Sequence, residues 1–314
     1  MPRLLRTIAI ATLVPSFATA LSAQSEFGGD WRIDRTRGDT VQLNLTYESK
    51  GGGTGNTGRT IALSELRGLT RAQVEGSGPV RFQIVRDAGT FTFDGQTRNG
   101  RGLGDFTFAP SATFAAELAR RGIDRPTPRQ QFSMAMHDVS LRFIDALDRL
   151  GYEKPTVASL DRAGMHGADL AYLSSLDGLG YRVGTLESLI TLRDHGVDGE
   201  FISGMREAGY RDLDVDQLRR MRDHGADPEF AAELAEHGYD DLPADELVRL
   251  RDHGVTGDFI AGLNAAGYRD LSTDQLVRLR DHGVTPSYAR RANSRAGSRL
   301  AVEQLIRLRD RGDH

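Results

Sequence analysis

A histidine returns every 29 residues through much of this chain, at His137, His166, His195, His224, His253 and His282, with Arg311 in the next slot. Glycine follows it at Gly167, Gly196, Gly225, Gly254, Gly283 and Gly312, while Asp138 stands there in the first copy. Gly-Tyr pairs keep the same interval at Gly151-Tyr152, Gly180-Tyr181, Gly209-Tyr210, Gly238-Tyr239 and Gly267-Tyr268. So do the aromatics Phe143, Tyr172, Phe201, Phe230, Phe259 and Tyr288. A fixed period of this length means that one supersecondary unit recurs, each copy burying its apolar face against its neighbours. It constrains the fold more than any other feature of the sequence.

The stretch from Tyr210 to Gly238 shows the grammar of a unit. Asp214 can cap a first helix with Gln217 at its third position, Leu218 and Met221 supply apolar contacts, and Arg222-Asp223-His224 closes it before Gly225. Asp227 caps a second helix with Pro228 first and Phe230 third, and that helix stops at Gly238. These are physical start and stop signals. Ser272 with Gln275, Thr256, Thr285 and Pro286 repeat the roles elsewhere, whereas Gly199 and Gly257 replace the leading proline and weaken those starts. Leu189, Leu192, Leu247, Leu250, Leu276 and Leu279 form a recurring apolar edge. Each unit is thus two helices of roughly 10 residues, too short to persist alone and dependent on neighbour packing. Stop glycines alternate at intervals of 13 and 16 residues, as from Gly196 to Gly209 to Gly225, close to a half-repeat of one capped helix.

Residues 24–110 follow a different period. Val41, Leu43, Leu45 and Tyr47 alternate with Gln42, Asn44 and Thr46, and Val80, Phe82 and Ile84 do the same. Phe91/Phe93 and Phe106/Phe108 are also spaced by two. Such alternation predicts half-buried antiparallel strands. Arg86 to Gly89 and Asn99-Gly100 are turn sequences, and Thr70 with Gln73 can cap a short helix in the break from Ser64 to Gly78. The expectation is a small β domain, a compact sandwich or barrel. Trp31, the chain's one tryptophan, reads as core filler, with a surface binding aromatic as the other possibility. The glycine-rich Gly51 to Gly58 has no Lys-Ser or Lys-Thr after it, so it is read as a flexible hairpin connection and not a phosphate loop. Arg98 to Gly104 lacks the βαβ context of a dinucleotide site.

Before this domain, Arg3 and Arg6 precede an apolar run from Ile8 to about Leu21, and Leu21-Ser22-Ala23 resembles a cleavage site. Residues 1–23 are therefore expected to be a secretory signal peptide, with no cysteine for a lipid anchor and no later stretch able to span a bilayer. The expected division is 1–23 signal peptide, 24–110 β-rich domain, 111–122 linker or first helix, and 123–314 helical repeats. The fold class is α+β in separate domains, a small antiparallel β domain followed by an all-α solenoid of short paired helices.

Charge narrows the partners. The chain is formally −4, and residues 25–110 hold 11 basic and 10 acidic groups, so the acidity lies in the repeats with 27 basic against 34 acidic. Neither half is a polycation, which argues against nucleic acid. The absence of cysteine excludes disulfides, thiolate metal sites and cysteine nucleophiles.

The histidine ladder has three readings. A histidine in the last turn of a helix suits the unsatisfied carbonyls there, and the preceding Arg-Asp can pair locally or with the next unit. This polar knot is favoured over a metal ladder, because stacked units lie about 10 Å apart while metal bonds span about 2 Å. The third reading, a scaffold that charges as pH falls, rests on histidine's ordinary titration range. The aromatic series reads as inter-repeat core in preference to an exposed binding stripe. Departures from the pattern are potential surface markers: Met136-His137, Met165-His166, Gly184 in place of leucine, and the basic Ala289-Arg290-Arg291 and Ser294-Arg295.

Gly-x-Ser-x-Gly and His-Glu-x-x-His motifs are absent, and no Ser-x-x-Lys stands in a nucleophile's context, so no enzyme is expected; no catalytic, cofactor or metal residues are assigned. The segments Asp270 to Pro286 and Asp212 to Phe230 resemble tandem helical repeats in the extracellular parts of some bacterial regulatory membrane proteins, among them sensor metallopeptidases controlling antibiotic-resistance operons. Gly29-Asp30-Trp31 and residues 63–73 resemble the β-rich unit accompanying those repeats. The resemblance covers most of the chain beyond residue 23, but the membrane helices and the peptidase motif are missing, so proteolysis does not follow. It implies a periplasmic or secreted relative of the sensing or docking part. The expected function is a protein-binding scaffold whose partner is another envelope protein; the alternative is an envelope sensor binding a glycan or peptide through the β domain.

Overall fold

The computed structural model describes residues 27–35, 38–48 and 53–312. The expected signal peptide, residues 1–23, lies outside them. The chain divides into two units, one ending at Val85 and resuming over Gly89–Ser111, the other comprising Arg86–Ala88 and everything from Ala112.

The first unit is built on strands β1 (Phe27–Arg35), β2 (Thr40–Glu48), β3 (Thr54–Ala62), β4 (Ser77–Arg86), β5 (Gly89–Arg98) and β6 (Arg101–Pro110), with a short helix α1 (Arg71–Glu75) between β3 and β4. They form one antiparallel sheet in the order β3-β2-β1-β6-β5-β4. Trp31 on β1 and Phe82 on β4 are three strand positions apart, a distance of about 14 Å in a flat sheet. Their rings lie 5.1 Å apart, centre to centre. The sheet must therefore roll around its apolar face, closing on Phe82, Phe91, Phe93, Phe106 and Phe108, all 2% exposed or less. It is a rolled single sheet, with β3 and β4 at its ends, where a sandwich or barrel was expected.

Trp31 is core, 2% exposed, and its indole Nε1 donates to the Asp94 carbonyl at 3.0 Å. The glycines of β5 and β6 make room for it: a β-carbon at Gly95, Gly102 or Gly104 would come within 2.7–2.9 Å of the indole. The spaced glycines of Arg98 to Gly104 thus serve aromatic packing. The Gly51 to Gly58 expectation needs correction, because Thr54 to Gly58 belong to β3. Their glycines answer cross-strand neighbours: a β-carbon at Gly55 would meet the Tyr47 ring at 2.7 Å, and one at Gly58 the Asn44 Oδ1 at 2.3 Å. The Thr70–Gln73 capping box forms, with the Thr70 amide donating to Gln73 Oε1 at 2.9 Å. Asn99 and Gly100 both take positive φ, 52° and 86°, as a two-residue hairpin turn requires.

From Ala112 onward the regular elements of the second unit are all helices. It runs through α2 (Ala112–Arg120), α3 (Pro128–Met136), α4 (Leu141–Arg149), α5 (Val157–Met165), α6 (Leu170–Gly178), α7 (Leu186–Asp194), α8 (Gly199–Glu207), α9 (Val215–Asp223), α10 (Pro228–Ala235), α11 (Ala244–Asp252), α12 (Gly257–Ala265), α13 (Thr273–Asp281), α14 (Pro286–Ala296) and α15 (Val302–Asp310). Odd helices pack on odd (α3 on α5, and so on to α15), and even on even, as α4 on α6, α8 on α10 and α12 on α14. This is a two-layer α-solenoid. The 29-residue register reaches back to α2, where Phe114, Leu118 and Gly122 precede Phe143, Leu147 and Gly151 by one period.

Caps form where the sequence places them. Asp169, Asp198 and Asp227 each accept the amide of the aromatic three residues on, Tyr172, Phe201 and Phe230, at 2.9 Å. The carbonyl-side ends are closed by left-handed residues, usually glycine; Asp138, in the glycine slot of the first copy, adopts φ 55° all the same. Leu189, Leu192, Leu247, Leu250, Leu276 and Leu279 are fully buried, so the apolar edge is the solenoid's core.

Candidate interaction surface

The tetrad Arg193-Asp194-His195-Gly196 recurs as Arg222 to Gly225, Arg251 to Gly254 and Arg280 to Gly283, and ends as Arg309-Asp310-Arg311-Gly312. Each member reaches across the boundary to the adjacent unit. His166 Nδ1 lies 2.7 Å from Asp194 Oδ1, His195 2.6 Å from Asp223, His224 and His253 2.7 Å from Asp252 and Asp281, and His282 2.8 Å from Asp310. A carboxylate oxygen accepts, so the ring donates from Nδ1. The arginine before each aspartate lies over the aromatic of the preceding unit: Arg193 over Tyr172 at 5.0 Å, Arg222 over Phe201 at 5.1 Å, Arg251 over Phe230 at 4.8 Å, Arg280 over Phe259 and Arg309 over Tyr288 at 5.3 Å. Its Nε passes 3.5–3.7 Å from where a β-carbon would stand on the preceding unit's glycine. The tetrad is a clasp between successive repeats, and that is the polar knot the sequence suggested, with its partners found across the boundary.

The clasp fails where the sequence departs from it. His137 would need an acid at position 165, but Met165 is there, 51% exposed, and His137 Nδ1 turns to the Ser133 carbonyl at 2.9 Å. Gly164 replaces the arginine, and a β-carbon on it would meet Val139 Cγ2 at 2.7 Å, so α5 packs closely on the turn that follows α3. A second row of ion pairs runs along the odd helices: Arg162 to Glu187 and Arg220 to Asp245, each at 2.8 Å, Arg249 to Asp274 at 2.6 Å, and Arg278 to Glu303.

Tyrosine hydroxyls tie the loops. Tyr181, Tyr239 and Tyr268 donate to the carbonyls of Leu213, Leu271 and Leu300 at 3.1, 2.6 and 2.8 Å. Burial pushes the Tyr181 phenol up to about 12, with the Asp214 charge adding to it. Gly184 stands at the same offset from Tyr152; its φ is 76° and its carbonyl accepts from the Glu153 amide. The Tyr152 hydroxyl is buried without a hydrogen-bond partner, although the nearby Val183 amide moderates the upward shift that burial gives its pKa. Gly184, singled out as a departure from leucine, has nothing within 4 Å of where its β-carbon would stand.

Three cavities are lined by charge. One, of about 550 Å3, lies in the β unit between Asp34, Arg35, Glu75, Asn99, Gly100 and Arg101, where Arg35 pairs with Glu75 at 2.9 Å and Arg101 with Asp34 at 3.4 Å. Another, of about 360 Å3, includes Arg121, Asp145, Tyr152 and Lys154, and Arg121 pairs with Asp145 at 2.8 Å. The third, of about 490 Å3, lies beside α14 with Arg291 and Arg295 on its wall. Among the described residues, no three His, Cys, Asp or Glu side chains gather as metal ligands, and no helix is long and apolar enough to cross a membrane.

The arrangement defines a class by fold: an antiparallel β unit followed by an α-solenoid of 29-residue repeats held by a recurring polar clasp. No family model, no curated protein and no solved structure matches this chain. Sequence reasoning found every member of the clasp except the arginine's role, for which the constant interval of 21 residues from aromatic to arginine was the available signal.

Proposed function

We propose that this protein is a non-enzymatic docking scaffold of the bacterial cell envelope, exported by its N-terminal segment, whose solenoid binds another envelope protein. The observation that supports it most is the use of the repeated polar groups. The histidines, aspartates and arginines that recur from His166 to Asp310 are engaged with the neighbouring unit, which is what a long, rigid binding surface needs and a catalytic centre does not. The resemblance to extracellular repeats of sensor metallopeptidases points the same way. The second reading, a ligand sensor acting through the β unit, draws on the cavity at Asp34 and Arg101, though its charges already neutralise one another.

A photo-crosslinking amino acid placed in the full-length protein at Glu229 or Asp258, both exposed on the solenoid, or at Leu103, 69% exposed on the sheet, distinguishes the two. Crosslinks to one protein from the solenoid positions are expected. Adducts only from Leu103 favour the sensor, and none from any position, with a control complex recovered, ends the scaffold reading.

A further inference from the structure

Even helices stack by placing the N-terminus of one against a fixed position of the one before. Gly204 receives Pro228, and a β-carbon there would lie 2.7 Å from its Cγ; Gly262 receives Pro286 in the same way at 2.6 Å. In the intervening unit Glu233 stands at this position and its Oε1 accepts the Gly257 amide, the first of α12, at 2.8 Å. The position is therefore either small, to admit the next helix, or acidic, to satisfy it. One period after Gly262 it is Arg291, on α14, and no further even helix follows among the described residues.

Arginine is the wrong residue for receiving another repeat. A helix N-terminus carries roughly +0.5 of a charge and unsatisfied amides, so Arg291 repels what Glu233 attracts. The rest of α14 agrees. It carries Arg290, Arg291 and Arg295 and no acid, whereas α6, α8, α10 and α12 each carry net negative charge. Among the described residues neither Arg290 nor Arg291 has a salt-bridge partner, unlike the arginines of the odd-helix row, and both are exposed.

The stacking face that Arg291 guards is a cavity of about 490 Å3 with Arg291 and Arg295 on its wall and an apolar floor of Tyr288, Ala292, Leu300 and Leu308. That size lies within the roughly 300–1,000 Å3 of ligand sites. We infer that this cavity beside α14 docks an acidic, leucine- or aromatic-containing polypeptide segment of the partner, a carboxylate of the segment on Arg291 and its apolar side chains on the floor. The charge of α14 selects the carboxylates, and the apolar floor of the cavity selects the apolar groups. The inference rests on the docking-scaffold reading and gives that scaffold a site and a partner chemistry.

The test is fluorescence anisotropy of the full-length protein with a labelled peptide alternating glutamate and leucine, beside its glutamine counterpart and an all-glutamate peptide. Binding of the Glu-Leu peptide is expected, weakening with added salt, at least tenfold tighter than either control. Arg291→Glu, at an exposed position, should abolish it with an unchanged melting curve, and Arg291→Ala should cost about tenfold, as for one charge-assisted bond. Equal binding of the all-glutamate peptide, competition by inorganic phosphate at equal charge, or indifference to Arg291→Glu would overturn the proposal. So would binding that emerges only on deleting residues 313–314, which would assign the cavity to the chain's own end, and so would protein self-association abolished by Arg291→Glu. Solenoid crosslinks to a partner at Glu229 or Asp258, undiminished by Arg291→Glu and with no peptide binding, would leave the scaffold standing and remove only this site.

Discussion

Replacing Arg251 isolates what the clasp contributes to the solenoid. Its guanidinium sits 4.8 Å from the centre of the Phe230 ring, itself 2% exposed, and its Nε lies 3.6 Å from the β-carbon position of Gly225. A cation over an aromatic face at an exposed site is worth about 0.5–1 kcal/mol. The aliphatic stem covering that ring adds a comparable amount, on the order of one buried methylene at ~0.8 kcal/mol. Arg251→Ala should therefore destabilise by about 1.5 kcal/mol, and Arg251→Met, which keeps a stem but no charge, by about half of that. Urea unfolding followed by far-UV circular dichroism reads both, and a double-mutant cycle with Phe230→Leu should give a coupling of about 0.5–1 kcal/mol. Stability in a stack is a sum of unit and neighbour terms, so native-state hydrogen exchange should accelerate most in α9 and α11. Ala and Met variants equal to the parent, with coupling within about 0.3 kcal/mol of zero, would refute the clasp as a source of stability and leave the arginine a bystander.

Three other outcomes follow from particular contacts. Gly196→Ala should cost about 1 kcal/mol from its φ of 69° alone, since the added methyl would meet Arg222 Nε at an ordinary 3.7 Å; chemical denaturation measures it, and a loss several times larger would mean a clash. Gly104→Ala would drive a methyl to 2.0 Å from the Asp94 carbonyl oxygen and 2.8 Å from Trp31 Nε1, so the β unit should lose its fixed tertiary packing, seen as a red shift of the single tryptophan's emission. Burial raises the phenols of Tyr152, Tyr181, Tyr210, Tyr239 and Tyr268, so they hold their protons where an unfolded chain releases them. Stability present below about pH 10, the unfolded value, is then lost as pH rises toward the folded value of about 12 for Tyr181, and absorbance at alkaline pH should show delayed tyrosine ionisation that vanishes in denaturant.

Much of the solenoid was legible because its signals are local. Asp227 with Pro228, Ser272 with Gln275, and Thr285 with Pro286 act within one turn, so their caps form as the residues dictate. The β unit was legible only in part. Thr40 to Tyr47 announces itself by alternation, but the glycines that break the pattern of β3 respond to Tyr47 and Asn44 on another strand. Nothing near Gly102 or Gly104 in sequence reveals that Trp31, some seventy residues earlier, will lie across them.

The sequence by itself determined that this chain repeats, that each repeat is two short capped helices, and that a strand-rich unit precedes them, because periodicity and capping depend on neighbours a few residues away. Only the tertiary structure decided that the histidine of one unit meets the aspartate of the next, that the sheet rolls around Trp31, and that Arg291 stands where a further helix would begin. Those outcomes depend on which surfaces meet after the helices stack and the sheet curls, distances that a linear pattern does not contain.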